Sequence, residues 1–234
     1  MKATGDLLAA LEERFRGVNR ADLPLGARLS IVADAVRTLS PNFTHNVDQF
    51  VDRLKQVEAG VRAPVVGETM PGFMLPDSEG HFRTLDEILA GGPAIVVFYR
   101  GHWCPYCRLT ISALAQIAPE VAPCRIVCIT AERGEFAQAI RLEAGADFPI
   151  LCDMDNGYAM SLNLAVWVDD AMSTLIEGAG WSVPEYQGTS GWVLTIPAVF
   201  VVDRTGLIVA RHVDPDYRKR MELDDLVAAS RLVR

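Results

Sequence analysis

Two cysteines three positions apart are the residues of this chain best suited to do chemistry. They are Cys104 and Cys107, in the stretch FYRGHWCPYC at residues 98–107. Two thiols at this spacing can close into a disulfide, hold a zinc ion or take part in no reaction at all. The elements on either side of the pair decide among these roles.

The pair is predicted to lie between a buried strand and the start of a helix. AIVVFY (94–99) is a continuous apolar run, typical of a central strand covered on both faces, and a helical pattern follows Cys107. Backbone N–H groups at a helix start stabilise a thiolate and lower its pKa below the free value of about 8.5. The second thiol can then displace whatever the first has captured. We therefore expect Cys104 and Cys107 to cycle between dithiol and disulfide.

A structural zinc site is the alternative for these thiols. CPYC and CRIVC supply four cysteines at a spacing close to that of four-cysteine sites. Cys124 and Cys128, however, belong to a predicted strand, on which positions four apart lie about 13 Å from each other. That separation is too large for one ion, so these two and Cys152 are interpreted as small buried residues. Cys152 keeps a second interpretation, as a distant resolving thiol.

Four side chains near the dithiol are candidates for supporting roles. Arg100 is the one cation that the sequence places beside the pair, where it could hold a thiolate or polarise a peroxide, or it could be a surface arginine. His102 could be a base or ligand, or a partly exposed loop residue. Trp103 could shield the dithiol or cap the core, and Tyr106 lies between the two cysteines.

Composition limits the class of protein. Half of the 234 residues are hydrophobic and 22% are charged, which suits one large soluble domain or a domain with an appendage. The net charge of −8 argues against nucleic acid as a partner. No apolar stretch reaches the roughly 18–20 residues of a membrane span. The N-terminus carries charged residues where a signal peptide would have its apolar core, so no export signal is predicted. We expect a cytoplasmic protein that binds no membrane.

The chain divides at about residue 60. Residues 1–60 have apolar positions at helical spacing and are predicted to form about three helices; their apolar stripes must be covered by the core or by a second subunit, as in a homodimer. Residues 61–234 alternate strands and helices, which predicts a mixed central sheet flanked by helices. Residues 165–193 fit no element and are interpreted as an insertion.

Taken together, these motifs resemble the peroxiredoxin-like branch of the alkyl hydroperoxide reductase/thiol-specific antioxidant (AhpC/TSA) family, in the thioredoxin-fold superfamily. The resemblance covers roughly residues 64–228. It depends on five stretches: VGETMPGFMLPDSEG, AIVVFYRGHWCPYC, FPILCD, IPAVFVVDRTG and VDPDYRKRMELDDLVAA. It implies an α/β, thioredoxin-like fold with an N-terminal helical extension.

The departures from the family pattern are informative. In the resemblance, Cys107 takes the peroxidatic position, while Cys104 stands where the family has threonine, and Pro197 where it has the peroxide-orienting arginine. A proline before a strand also resembles thioredoxin, which implies that Ile196-Pro197 is cis and aligns a substrate beside the dithiol. The resemblance to thioredoxin implies that Cys104 is the attacking sulfur, whereas the resemblance to peroxiredoxins implies that it is Cys107. The sequence leaves both assignments open.

The resemblance implies a thiol-dependent antioxidant oxidoreductase that reduces peroxides, disulfides or both. Its electrons would come from a thioredoxin- or glutathione-type thiol donor, and no cofactor or metal is expected, since the chain has no nucleotide-binding glycine motif. The alternative from another class is a redox-sensing binding module that uses the dithiol as a switch.

Overall fold

A five-stranded mixed sheet forms the centre of the molecule. A computed structural model describes residues 2–233, and the side chains of residue 10 and of residues 12–233. Its strands are β3 Ala94–Phe98, β4 Arg125–Thr130, β5 Ile150–Cys152, β8 Ala198–Val202 and β9 Ile208–Val213. They have the order β5-β4-β3-β8-β9. β3, β4 and β5 are parallel; β8 pairs antiparallel with β3, and β9 pairs antiparallel with β8.

Helices cover both faces of this sheet, because its central strands are apolar along their whole length and must be buried on both sides. They are α4 Leu85–Gly91, α5 Pro105–Val121, α6 Gly134–Ala144, α7 Gly157–Ser161 and α10 Leu223–Arg231, with a short 3₁₀ turn Met154–Asn156 before α7. A hairpin of β1 Met74–Pro76 and β2 Phe82–Thr84 precedes α4. Thr84 and Glu87 form a capping box that fixes where α4 begins.

Three N-terminal helices form the predicted extension: α1 Lys2–Asn19, α2 Leu25–Leu39 and α3 Pro41–Gln56. Their described apolar stripes are buried, with Leu29, Val32 and Phe50 inside the common core. α2 packs on α5, and α3 packs on a later helix, Asp170–Gly178. The predicted α/β class with an N-terminal helical extension is confirmed.

The segment 165–193 contains regular structure, so the prediction that it fits no element was wrong. It forms β6 Ala165–Trp167, α8 Asp170–Gly178, α9 Val183–Gln187 and β7 Val193–Thr195, with β6 and β7 paired antiparallel. These elements have between three and nine residues, which is too short for a clear sequence period. Within residues 2–233, no helix combines the length and apolar character that a membrane crossing requires.

Candidate active site

The dithiol lies at the junction between β3 and α5, as the sequence predicted. Cys104 is the N-cap residue of α5, and Pro105 is its first helical residue, a position where proline's missing N–H has no consequence. The Cys107 N–H bonds back to the Cys104 carbonyl (3.0 Å) in the first turn. Both cysteines are free thiols and almost fully buried, with exposed fractions of 1% for Cys104 and 0% for Cys107.

The Cys107 sulfur is surrounded by hydrogen-bond donors. The backbone N–H of Arg100 lies 3.4 Å from Sγ, and Nη2 of Arg220 lies 3.8 Å from it. Burial alone would raise the pKa of Cys107. The hydrogen bond from Cys104, the Arg220 charge and the N–H groups of Arg100 and Gly101 outweigh burial and lower this pKa to about 5. Cys107 is therefore a thiolate at neutral pH.

Cys104 has the opposite protonation state. Burial raises the pKa of Cys104 well above its usual value, and so does the hydrogen bond that its thiol donates to Cys107. The cations Arg100 and Arg220 counteract these effects only in part. The pair is consequently asymmetric: one sulfur carries the negative charge, and the other holds the proton that stabilises it.

Arg100 is buried beside both sulfurs, with 5% of its surface exposed. Its guanidinium carbon lies 3.8 Å from the centre of the Tyr217 ring, a cation–π contact. Burial lowers the pKa of Arg100, while Tyr217 and the two cysteines raise it. Within the described part of the chain, no carboxylate pairs with Arg100, and its buried Nε has no hydrogen-bond partner. A guanidinium in this state can donate hydrogen bonds to an anion or to a peroxide oxygen.

Arg220 is one of two residues at the site that the sequence analysis missed, because Arg100 was expected to be the one cation near the dithiol. Arg220 lies in the segment that follows β9, where its Nη1 donates to the carbonyls of Tyr217 and Lys219. An ion pair between Arg218 and Asp216 anchors the same segment (2.7 Å). Three consecutive cations in an acidic chain were the signal available in the sequence.

His102 is held by a buried carboxylate. Its backbone N–H and its Nδ1 both lie within hydrogen-bond distance of Glu132, at 2.8 and 2.7 Å. Burial raises the pKa of Glu132, and the contacts with His102 lower it. The imidazole stacks on Phe136 (4.8 Å between ring centres). Glu132 follows β4, the strand beside β3, and parallel strands end at one edge, so this neighbour was within reach of sequence reasoning.

Trp103 and Tyr106 line an apolar pocket that reaches Cys104. The pocket has a volume of about 40 Å³ and lies between the dithiol, the junction of α2 and α3, and α8. Phe43 and Trp181, at its rim, are partly exposed, whereas Cys104 is buried at its base.

Trp103 contacts Trp181 (5.6 Å between ring centres), and Tyr106 packs edge-on against Tyr217. Cys107 is not among the lining residues.

The prediction that Ile196-Pro197 is cis was wrong. Within the described residues, the cis peptide bond is Ala122-Pro123. Ile196 and Pro197 are buried, and the Ile196 N–H donates to the Leu164 carbonyl at 2.6 Å. The substrate-aligning role depended on a cis bond that would turn this backbone toward the dithiol, so we withdraw it.

The other three cysteines do not join the dithiol. The Cys124 thiol lies within hydrogen-bond distance of the Ser230 carbonyl (3.5 Å), and Cys128 is fully buried in β4. Burial raises the pKa of Cys128, and it raises that of Cys152 to about 11. Across residues 2–233, no three histidine, cysteine or acidic side chains cluster in a way that could hold a metal ion. The cysteines of CPYC and CRIVC are therefore not brought together around one point in the described part of the chain.

Comparison with known proteins gives one family and one fold. Residues 66–211 match the model of the AhpC/TSA family. A thioredoxin-like protein of Haemophilus influenzae is 37% identical over 60 residues, which are 26% of this chain and 35% of that protein. The chain thus aligns with less than two thirds of the length of each of the curated relatives that it matches.

Solved structures of peroxiredoxins share the fold. Peroxidoxin BcpB from Mycobacterium tuberculosis superposes with a TM-score of 0.56 and 20% identity, covering 72% of this chain and 97% of that one. A yeast mitochondrial 1-Cys peroxiredoxin, described with glutathione and thioredoxin systems, superposes with a TM-score of 0.52 and 17% identity. The match covers 70% of this chain and 73% of that one. These likenesses confirm the predicted thioredoxin-like fold.

Proposed function

Since the chain belongs to the AhpC/TSA family, we propose that it is a thiol-dependent peroxidase in which Cys107 attacks the peroxide and Cys104 resolves the product. The observation that carries this assignment is the set of donors around Cys107 Sγ: the Arg100 N–H, the Arg220 guanidinium and the Cys104 thiol. The thiolate is the nucleophilic form of cysteine, so the sulfur that these groups keep ionised is the one that reacts.

In the first step, the Cys107 thiolate attacks one peroxide oxygen and the O–O bond breaks. The sulfur becomes a sulfenic acid, and the second oxygen leaves as an alkoxide or hydroxide, which takes a proton to give an alcohol or water. The Cys104 thiol can supply that proton, since it already donates to the Cys107 sulfur. Arg100, buried and without a carboxylate partner among the described residues, stabilises the charge that develops on the leaving oxygen.

In the second step, the Cys104 thiolate attacks the sulfenic sulfur of Cys107, the S–O bond breaks as the disulfide forms, and the departing hydroxide takes a proton from solvent to give water. Loss of its proton in the first step leaves Cys104 as the thiolate that this attack requires. Two donor thiols then return the protein to the dithiol. The solved structure described with glutathione and thioredoxin systems supports a thiol donor for this chain. We place the protein in the cytoplasm, where such reduced thiols are held.

Single cysteine variants test this assignment against the reverse one. Reduced wild-type protein, Cys104→Ser and Cys107→Ser are each mixed with hydrogen peroxide and, separately, with a small disulfide. We expect Cys104→Ser to form a sulfenic acid on Cys107, detectable with dimedone, and Cys107→Ser to be inert toward peroxide. A sulfenic acid on Cys104 in Cys107→Ser, formed as fast as in the wild type, would reverse the roles.

Turnover distinguishes the enzyme from a redox sensor. With excess thiol donor, an enzyme consumes many equivalents of peroxide, whereas a sensor oxidises once and stops. Mass spectrometry of the mildly oxidised wild type should find a bond between Cys104 and Cys107 and leave Cys124 and Cys128 as thiols. A single equivalent consumed, with that same bond formed, would favour the redox-sensing module.

A further inference from the structure

We propose that the pocket at Cys104 is the entry site for the electron donor, a small thiol with a slender uncharged stem whose sulfur attacks Cys104 of the oxidised protein. This inference rests on the proposed function, because it concerns the disulfide that the peroxidase step leaves behind. It adds the sulfur that the donor attacks, the route that the donor takes and the chemical class of its stem.

The position of the pocket selects the sulfur. Cys104 lies at its base, whereas Cys107 is fully buried and lies outside its lining. Thiol–disulfide exchange requires the attacking sulfur to approach one sulfur of the bond directly. From this pocket, Cys104 is the sulfur within reach.

The leaving group favours the same choice. Attack on Cys104 expels Cys107, whose thiolate is stabilised by Arg220 and by the N–H groups of Arg100 and Gly101. Exchange is faster when the leaving thiol has the lower pKa. The donor thiolate forms a bond to Cys104 as the disulfide bond breaks, and Cys107 leaves with the electron pair. A second donor thiol then attacks the donor sulfur, releases Cys104 and completes a two-electron reduction.

The walls of the pocket define the donor's stem. Met172, Ile176 and Trp181 line one side and Phe43 another, so a charged stem would lose its hydration there. A volume of about 40 Å³ admits a slender group and excludes a bulky one. Arg100 is the charged group in the lining and has no ionic partner among the described residues, so it attracts the incoming thiolate. Phe43 lies outside the residues that match the family.

The donor step is tested by itself on the disulfide form, prepared with diamide so that no peroxide chemistry is needed. This form is mixed with 1-propanethiol or with cysteamine, whose stem is charged, and is quenched with N-ethylmaleimide in concentrated urea, which exposes buried thiols, for peptide mass spectrometry. We expect propanethiol bound to Cys104 and maleimide bound to Cys107. The thiol adduct on Cys107 overturns the proposal, even if the peroxidase assignment stands.

The rates test the route. Each thiol's rate is divided by its rate with a small linear disulfide, which removes differences in intrinsic reactivity. We expect propanethiol to exceed cysteamine by at least about tenfold, because its terminal methyl gains roughly fourfold on leaving water, whereas the ammonium of cysteamine loses its hydration there. Equal normalised rates for the two thiols overturn the apolar entry route.

A pocket-filling variant supplies the control. Ala179→Leu, or Ser40→Leu at the rim should the first misfold, is expected to lower the propanethiol rate at least about tenfold. Ala171→Leu, on the exposed face of α8, is the matched control and should leave the rate unchanged. Reduction by a reduced thioredoxin that outpaces propanethiol and is unaffected by the filling variant would mean that the donor is a protein acting elsewhere, and would overturn the proposal.

Discussion

At the scale of single residues, the distribution of charge between Cys104 and Cys107 determines the chemistry. Both thiols are equally buried, so burial does not distinguish them. The difference arises from donors, which converge on Cys107 and reach Cys104 less well. A helix start contributes to this stabilisation, but a cation from a distant segment, Arg220, is a main part of it.

The first prediction is a pH profile. Because the pKa of Cys107 is lowered to about 5, its alkylation by iodoacetamide should be half-maximal near that pH and flat above it. An ordinary thiol would instead gain reactivity up to about pH 8.5. Arg220→Gln removes a charge that favours the thiolate, so the midpoint should rise by about 1–3 units. The measurement is the alkylation rate from pH 4 to 10.

Arg204→Gln is the matched control for that profile. Arg204 is exposed in the turn between β8 and β9, and its loss should leave the midpoint in place. A wild-type midpoint near 8.5 would contradict the structure, and an Arg220→Gln midpoint equal to that of the wild type would remove Arg220 from the site.

The second prediction concerns Arg100. Arg100→Ala should slow oxidation of the reduced protein by hydrogen peroxide by roughly a hundred- to thousand-fold, since loss of one well-placed donor to a developing oxyanion costs about 2.7–4 kcal/mol. Stopped-flow measurement of Cys107 oxidation gives this rate. Iodoacetamide has no peroxide oxygen to stabilise, so its reaction should slow much less. An equal loss with both reagents would mean that Arg100 acts on the thiolate alone.

At the scale of elements, the loop between β3 and α5 aims the N–H groups at Cys107. Glu132, at the end of β4, binds the N–H and the imidazole of His102 and so fixes this loop from behind. Gly101 permits the close approach, because a Cβ there would lie 2.5 Å from both Glu132 Oε1 and Trp103 Nε1.

The third prediction follows from that contact. Gly101→Ala must displace Glu132 or Trp103, so it should lower the free energy of unfolding by about 1–3 kcal/mol. It should also raise the pKa of Cys107, because the N–H groups of the loop move away from Sγ. Urea unfolding and the alkylation profile measure the two effects.

Gly178→Ala is the control for this loop variant. Gly178 is the last residue of α8, and a Cβ there would meet no atom within 4 Å, so alanine should be neutral or stabilising by up to about 1 kcal/mol. Unchanged stability and an unchanged Cys107 pKa in Gly101→Ala would show that the close contact has no consequence.

The sequence predicted the elements that have strong local patterns. The apolar run of β3 and the helical pattern of α5 placed the dithiol correctly, since both elements are long enough to show their period. Arg220 and Glu132 were missed because they reach the site through tertiary structure, from 113 and 25 residues beyond Cys107 in the sequence. The backbone at Ile196-Pro197 was mispredicted by analogy, since a proline before a strand does not determine its isomer.

At the scale of the whole molecule, the N-terminal extension is joined to the family domain by buried surface and by ion pairs. Arg108, on α5, binds Glu12 of α1 and Glu143 of α6, and lies over the Phe15 ring. Arg28 of α2 donates to Gln116 of α5 at 3.2 Å. The extension therefore covers the outer face of the helix that carries the dithiol.

The last prediction is the effect of deleting residues 1–60. Removal uncovers the apolar surfaces of α5 and α8 that α2 and α3 cover, and it removes one wall of the pocket at Cys104. Exposed apolar patches of this kind drive association. We expect aggregation or a changed oligomeric state, measured by light scattering on a sizing column, with increased binding of a hydrophobic dye.

Point variants within α2 separate this packing effect from simple loss of chain. Leu29→Ala removes a buried side chain and should cost about 2–5 kcal/mol in the free energy of unfolding. Leu39→Ala, at an exposed position of the same helix, should change it by less than about 0.5 kcal/mol. Two results together would show that the extension is dispensable: a truncated protein with the same number of chains per particle as the full-length protein, and equal stabilities for the two leucine variants. The buried leucines of the extension would then contribute nothing to the common core.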